Sequence, residues 1–214
     1  MATDEAGSIM SLRNIAKRTV KSIFLIIAYP LFLWFLVVRT LTGSDNCFAT
    51  FSQFLSLVPG KIGTYLRAAF YHLACPDTSD DIYVGFQTLL SHRNTSIAHG
   101  VYIGPQCNIG MCSIGEHTLI GSGVHVLSGS RQHDFSDSNT PIQKQGGVFE
   151  KIAIGSDCWA GNASIIMAPL ANQTIVAAGS VVTKLSNPGD ILVGNPARPI
   201  RNRNTPTNDY TIDS

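Results

Sequence analysis

Charge is scarce in this chain. Of 214 residues only 14% are charged, with 15 Lys and Arg against 14 Asp and Glu, for a formal net charge of +1. A nucleic-acid binder needs a basic surface, so this balance excludes that class. Cysteine is sparse and poorly arranged for cross-linking. The five thiols, Cys47, Cys75, Cys107, Cys112 and Cys158, are odd in number and include no CxxC pair. That argues against a disulfide framework or a zinc ribbon, and for reduced thiols packed as small hydrophobes in a cytosol-facing protein. No small-x-small cleavage site closely follows the first apolar run, which argues against a secretory leader.

What the chain does have is apolar residues, 44% of the total, with the excess concentrated in the first 75 positions. From Ile23 to Val38, "IFLIIAYPLFLWFLVV" holds no charge. As a helix it spans roughly 24 Å, short of a hydrocarbon core of about 30 Å. Tyr29-Pro30 at its centre predicts a kink. Arg13, Lys17, Arg18 and Lys21 precede the run; Arg39, Lys61 and Arg67 follow it. Basic flanks on both sides leave two arrangements open: a single span, or a re-entrant or in-plane hairpin that keeps both flanks on the cytoplasmic side. A buried core helix is the third arrangement. Residues 1–45 therefore form a basic segment with a membrane helix or hairpin. Residues 46–81 follow as an amphipathic interfacial segment, broken at Pro59-Gly60, that also suits a helical collar on the next domain.

From residue 82 the grammar changes. Aliphatic side chains return at Val84, Leu90, Ile97, Ile103, Ile109, Ile114, Ile120 and Val126, then at Ile154, Ala160, Ile166, Leu170, Val176 and Val182. Most steps are six, which is neither a helical nor an alternating-strand period. One apolar residue per hexad with a small residue beside it describes short extended pieces that turn a corner, a hexapeptide β-helix. Each coil buries its apolar residue only against neighbouring coils. A β-sandwich would show strands at a spacing of about 8–12 residues. The polar stretch 128–149, beginning "SGSRQHDF", is the one long break in the repeat. Loops carried on rigid scaffolds are where such a wall acquires chemistry.

"VYIGPQCNIGMCSIGEHTLIGSGVHV", "IAIGSDCWAGNASIIMAPLANQTIVAAGSVVTK" and "GNPARPIR" resemble the hexapeptide-repeat acyltransferases, in particular galactoside, maltose and polysaccharide-modifying O-acetyltransferases. The resemblance covers about residues 82–203. It implies a left-handed parallel β-helix, an acetyl-CoA donor without a metal, and a homotrimer whose active sites lie between subunits. The whole chain then reads as mainly β, with an N-terminal α-helical membrane-associated segment and a flexible tail at 204–214.

The resemblance also implies site residues. His133 matches the catalytic histidine, the general base that takes a proton from an acceptor hydroxyl. Asp134 or Asp137 is placed in sequence to orient it, as a backbone carbonyl would be. Trp159 matches a tryptophan lining the donor groove. Asn162 matches the position whose backbone N–H faces the thioester carbonyl, and Ala178 one where backbone meets the pantetheine arm. Thr183, Lys184, Arg198 and Arg201 match positions near the adenosine phosphates, where cations suit the ligand. Gln106 and Asn108 are softer candidates for the acceptor side. The other histidines, His72, His92, His99, His117 and His125, read as surface residues.

The pattern departs from the family at Ala160, at Ala177, and in "MAPLANQT", which shortens one coil. An anchored enzyme calls for an anchored acceptor, a lipid-linked glycan or surface polysaccharide. The expectation is an O-acetyltransferase on the inner (cytoplasmic) membrane, facing the cytoplasm, with a sugar acceptor and membrane lipid as partners and no nucleic acid. Three other readings stay open at this point: an amino-sugar N-acetyltransferase, a zinc enzyme like the γ-class carbonic anhydrases, and a non-catalytic membrane-bound scaffold.

Overall fold

The computed structural model describes residues 2–205, with side chains from residue 15 onward. The polar tail expected from residue 204 lies, from residue 206 on, outside the described residues. Three helices come first: α1 (Ala2–Thr42), α2 (Cys47–Ser56) and α3 (Gly60–Ala74). The kink residue Pro30 lies inside α1, and the chain reverses between Thr42 and Cys47 rather than at Tyr29-Pro30.

The rest is a parallel β-helix with three walls. Wall A stacks β1 (Tyr83–Val84), β4 (Tyr102–Ile103), β7 (Leu119–Ile120), β10 (Trp159–Ala160), β12 (Ile175–Val176) and β14 (Asp190–Gly194). Wall B stacks β2 (Leu89–Leu90), β5 (Asn108–Ile109), β8 (His125–Val126), β11 (Ile165–Ile166) and β13 (Val181–Val182). Wall C has β3 (Ser96–Ile97), β6 (Cys112–Ile114) and β9 (Ile152–Ile154), and continues through a single bridge from Ile154 to Leu170. That lone bridge is where "MAPLANQT" shortens its coil. β15 (Ala197–Asn202) closes wall A as the antiparallel partner of β14.

The register explains the period. Val84, Ile103, Ile120, Ala160, Val176 and Leu192 form one inward column by successive pairing, and Leu90, Ile109, Val126, Ile166 and Val182 a second. Every repeat aliphatic named above is buried. Two residues before each sits a second inward position, often a small polar group that bonds the next coil's backbone. Thr88 Oγ1 donates to Gly104 O at 2.6 Å and Thr118 Oγ1 to Gly155 O at 2.7 Å. Cys107, Cys112 and Cys158 occupy such inward positions, and all five thiols are free. Burial pushes the Cys75 and Cys112 thiols up to about 12.

The helices plug the open N-terminal end of this stack. Ser52 Oγ accepts the Leu90 N–H at 2.9 Å and bonds Tyr71 Oη at 2.8 Å, while Ser56 O accepts the Gln87 N–H at 2.9 Å. Arg67, read from sequence as one of the basic residues of an amphipathic surface, is instead fully buried. Its Nε donates to Val84 O at 2.9 Å, and its Nη1 to Leu55 O at 3.0 Å and Val58 O at 2.8 Å. One guanidinium thus ties α2, the turn before α3 and the first strand together. Gly63 makes room for it, since a Cβ there would lie 1.8 Å from Val58 O and 2.8 Å from Arg67 Nη1.

α1 docks along this plug by one face only. Phe24 stacks on Tyr65 at 5.3 Å, and Phe35 packs among Phe48, Phe51 and Phe70. At its other end Lys17 and Lys21 reach Asp81 Oδ1 at 2.8 and 2.7 Å. The opposite face, with Ile23, Ile26, Ile27, Leu33, Trp34, Val37 and Leu41, is exposed. The helix over Ile15–Thr42 is long and apolar enough to cross a membrane, its most apolar 18 residues having a mean hydropathy of 2.2, and only 11% of that stretch is buried.

Candidate active site

The break in the repeat leaves wall B after β8 and returns to wall C at β9, so its roots sit on the edge between those walls. The loop is ordered by its own polar groups. The Asp134 N–H donates to Gly146 O at 2.7 Å and the Val148 N–H to Arg131 O at 2.8 Å, while Arg131 pairs with Glu150. Gly147 is pressed so closely that a Cβ would lie 2.0 Å from Gln132 O. Farther out, Gln145 Nε2 donates to Asp137 O at 2.8 Å and Thr140 O at 2.7 Å, next to a 3-10 turn at Ile142–Lys144.

His133 stands exposed on this frame, with no hydrogen bond to its ring among the described residues. Neither neighbouring aspartate holds it. Asp134 Oδ1 accepts the Ser136 N–H at 3.0 Å. Asp137 accepts the Asn139 N–H at 2.9 Å and the Thr140 hydroxyl at 2.7 Å. These local donors lower both carboxyl pKa values. The aspartates shape the loop, and the imidazole is left to whatever approaches it.

The other expected residues divide between two edges of the prism. Asn162 and Ala178 occupy the same corner position in successive coils, on the edge between walls A and B. Their side chains are exposed, and their backbone N–H groups find no acceptor among the described residues. One coil below, the Ser122 N–H at this corner is taken by Asn162 Oδ1 at 3.0 Å. The two open donors are therefore about 4.8 Å apart along the stack, one coil rise. Trp159 flanks them on the outer face of wall A, 52% exposed, between Leu119 and Ile175. Arg198 continues the same line, because it pairs with Val193 near the end of β14, where the Gly194 N–H bonds Ser180 Oγ at 3.0 Å. Arg201 lies opposite Ile191, toward the far side of wall A.

Thr183 and Lys184 belong to the other edge. They follow β13 out of wall B, as the root of the loop follows β8, with β11 between the two strands. Within one chain, then, His133, Thr183 and Lys184 share the B–C edge, and Trp159, Asn162, Ala178 and Arg198 share wall A and its border with wall B.

Under the loop lies a cavity of about 270 Å³ lined by Ser91, His92, Asn108, His125, Ser128 and Gln132. His92 and His125, expected on the surface, are half-buried and exposed respectively, and both line this cavity, with His92 5.5 Å from the Phe149 ring. The signal that was available is register: Asn108 and His125 are outward neighbours on adjacent strands of wall B. Of the two softer acceptor candidates, Asn108 lines this cavity, whereas Gln106 is at the A–B corner bonded to Gln87 at 3.3 Å. Among the described residues no group of three or more His, Cys, Asp or Glu is placed to hold a metal ion. His99 and His117, 5.6 Å apart, form an edge-on ring pair beside Asp81.

No family model matches the chain. A candidate acetyltransferase of Schizosaccharomyces pombe is 29% identical over 96 residues, a match that spans 44% of this chain and 44% of that protein. The chain thus matches less than half the length of that relative. Among solved structures, a maltose O-acetyltransferase from Clostridium difficile 630 superposes with a TM-score of 0.65 at 18% identity, covering 74% of this chain and 86% of the other. A hexapeptide-repeat acetyltransferase of Vibrio cholerae O1 biovar eltor, solved with acetyl-coenzyme A, gives a TM-score of 0.54 at 19% identity, covering 73% and 86%. This chain has the fold of the hexapeptide-repeat acetyltransferases, and its stacked parallel walls fit the left-handed winding expected for them.

Proposed function

We propose that this protein transfers an acetyl group from acetyl-CoA to a hydroxyl of a sugar, in a trimer whose active sites form where the B–C edge of one copy meets the A–B edge of the next. The observation that carries the reading is the separation of the two half-sites. The unpaired N–H groups of Asn162 and Ala178, the indole of Trp159 and the cation of Arg198 follow one edge in the order thioester, pantetheine arm and phosphates would need. His133 is on the other edge, held out by a braced loop. The loop's exposed apolar groups, Phe135, Ile142, Val148 and Phe149, support the same arrangement, since a neighbouring copy would cover them.

In that assembly His133 accepts the proton of the attacking hydroxyl as its oxygen adds to the thioester carbonyl. The Asn162 N–H donates to the carbonyl oxygen as negative charge builds there. The proton then passes from the imidazole to the departing CoA thiolate, leaving an acetyl ester and free thiol. The cavity lined by Asn108 and His125 beneath the loop is the acceptor side. Thr183, Lys184, Arg198 and Arg201 hold the nucleotide end of the donor.

The acceptor is proposed to be a lipid-linked glycan or surface polysaccharide at the cytoplasmic face of the inner membrane. Support comes from α1. Its seam packs on α2 and α3 along its whole apolar length while an unbroken apolar stripe faces outward. A helix covered in this one-sided way is better suited to lie in the membrane surface than to cross it alone. Incubating detergent-purified protein with labelled acetyl-CoA and a panel of free and lipid-linked glycans tests the proposal. Label on the anchored acceptors is expected, and label confined to free small sugars would contradict the anchored-acceptor part.

A further inference from the structure

A cavity of about 740 Å³ lies on the first two coils of the β-helix, apart from both half-sites. Its walls are α1, the first turn of α3 and the outer face of wall A. Four cations line it, Lys17, Lys21, Lys61 and Arg67, against two carboxylates, Asp80 and Asp81, which leaves a net charge of +2 (four minus two). The carboxylates are already engaged by Lys17 and Lys21. Lys61 has no ion-pair partner among the described residues.

Arg67 is the group that points to a ligand. It is fully buried, three of its N–H bonds are spent on carbonyls, and its Nη2 has no acceptor among the described residues. A buried guanidinium nitrogen without a partner costs free energy unless an acceptor arrives. α3 adds a second donor set, because it starts at Gly60 after Pro59 and no side chain caps its first turn. Open N–H groups at a helix N-terminus, with cations beside them, favour an oxyanion. The remaining wall is apolar, with Phe86, Pro105 and the rings of Tyr83 and Tyr102 stacked at 4.5 Å.

We propose that this cavity binds the phosphate group of a membrane lipid, with Lys61, Arg67 and the first turn of α3 as its donors. The net charge complements a phosphomonoester, and the apolar wall gives the attached glycerol or chain somewhere to lie. The lipid source follows from position: Lys61 adjoins the exposed Ile62, and Lys17 and Lys21 stand just before the outward apolar stripe of α1. This step rests on the proposed membrane contact of α1, and not on the acyl-transfer chemistry.

The test is calorimetric titration of the full chain in detergent, without acyl donor, using short-chain phosphatidic acid and diacylglycerol of the same chain length. Phosphatidic acid should bind and diacylglycerol should not. Lys61→Gln should weaken the phosphatidic acid affinity at least tenfold, while Lys144→Gln, which removes an exposed lysine from the distant loop, leaves it unchanged. Equal binding of both lipids, or an unaltered affinity in Lys61→Gln, would overturn the site. Inorganic phosphate should bind at least tenfold more weakly than phosphatidic acid, and equal affinity would overturn the lipid source. Flotation of the protein on neutral phosphatidylcholine vesicles reads the α1 contact separately, and His133→Ala should titrate like the parent, so failures of the three readings are distinguishable.

Discussion

Asn162 Oδ1 accepts the backbone N–H of Ser122 at 3.0 Å, while its own N–H finds no acceptor among the described residues. The side chain and the main chain of this residue therefore do different work. The amide closes a corner between adjacent coils, and the N–H stays open. Asn162→Ala should cost about 1 kcal/mol of stability, the worth of one hydrogen bond, and lower kcat by less than tenfold. Thermal unfolding and acetyl-transfer kinetics on the same preparation check both. A loss of several hundredfold in kcat with normal stability would show the side chain itself at the reaction centre.

The proposed division of the site between two edges gives a sharper test. His133→Ala should reduce acetyl transfer by about 10²–10⁴-fold, the span of general-base catalysis, with no change in melting temperature because the ring is exposed. Ala178→Trp, which fills the opposite edge, should abolish donor binding. Alone, His133→Ala should keep only that residual rate and Ala178→Trp none. Co-expressed, they should recover activity, up to about a quarter of sites in a randomly mixed cyclic trimer, since some interfaces then join two intact edges. No recovery in verified mixed trimers would place both half-sites within one chain.

The hexad positions were legible because a β-helix buries one aliphatic residue per side, and the positions read from sequence, from Val84 to Val182, are the buried columns. Even the irregular step at Leu170 has its counterpart, as the side of the prism reduced to a single bridge. Arg67 was not legible. Its place among apolar residues at helical spacing matches a snorkelling surface cation as well as a buried one, and its acceptors on Leu55, Val58 and Val84 come from three segments. The loop cavity was hidden for a similar reason: His92, Asn108 and His125 are brought together only by stacking of coils. The resemblance proposes donor-groove residues one at a time, and their split between two edges of the prism was not legible, because it depends on which wall each residue leaves.

Arg67 should be among the least replaceable residues in the chain. Arg67→Met keeps the length of the side chain and removes every donor, so the carbonyls of Val58 and Val84 lose the guanidinium that bonds them and Leu55 O is left with only the Val58 N–H at 3.3 Å. The expected loss is about 3–5 kcal/mol, concentrated where the helical plug meets the first coil. Chemical denaturation gives the magnitude, and hydrogen exchange gives the location, as early loss of protection in α2 and α3 before the later coils. A loss under 1 kcal/mol would mean that the guanidinium is no more than filler.

Acid should loosen α1 before it unfolds the β-helix. Burial pushes the Asp81 carboxyl up, but the ammonium groups of Lys17 and Lys21 more than offset it and hold the group at about 2, below its ordinary 3.8. His99 Nδ1 lies 3.6 Å from the other oxygen. Because the folded carboxyl is the stronger acid, its contribution is present above about pH 4 and is lost as pH falls through about 2. The consequence is local, since the carboxylate joins α1 to the start of the β-helix and touches no core column. Protection factors in the first half of α1 should therefore drop between pH 4 and pH 2 while those of β5 and β8 hold. Asp81→Asn should show the same low protection already at neutral pH, with no further drop over that window. If the variant keeps the parent's acid response, some other carboxylate holds the helix in place.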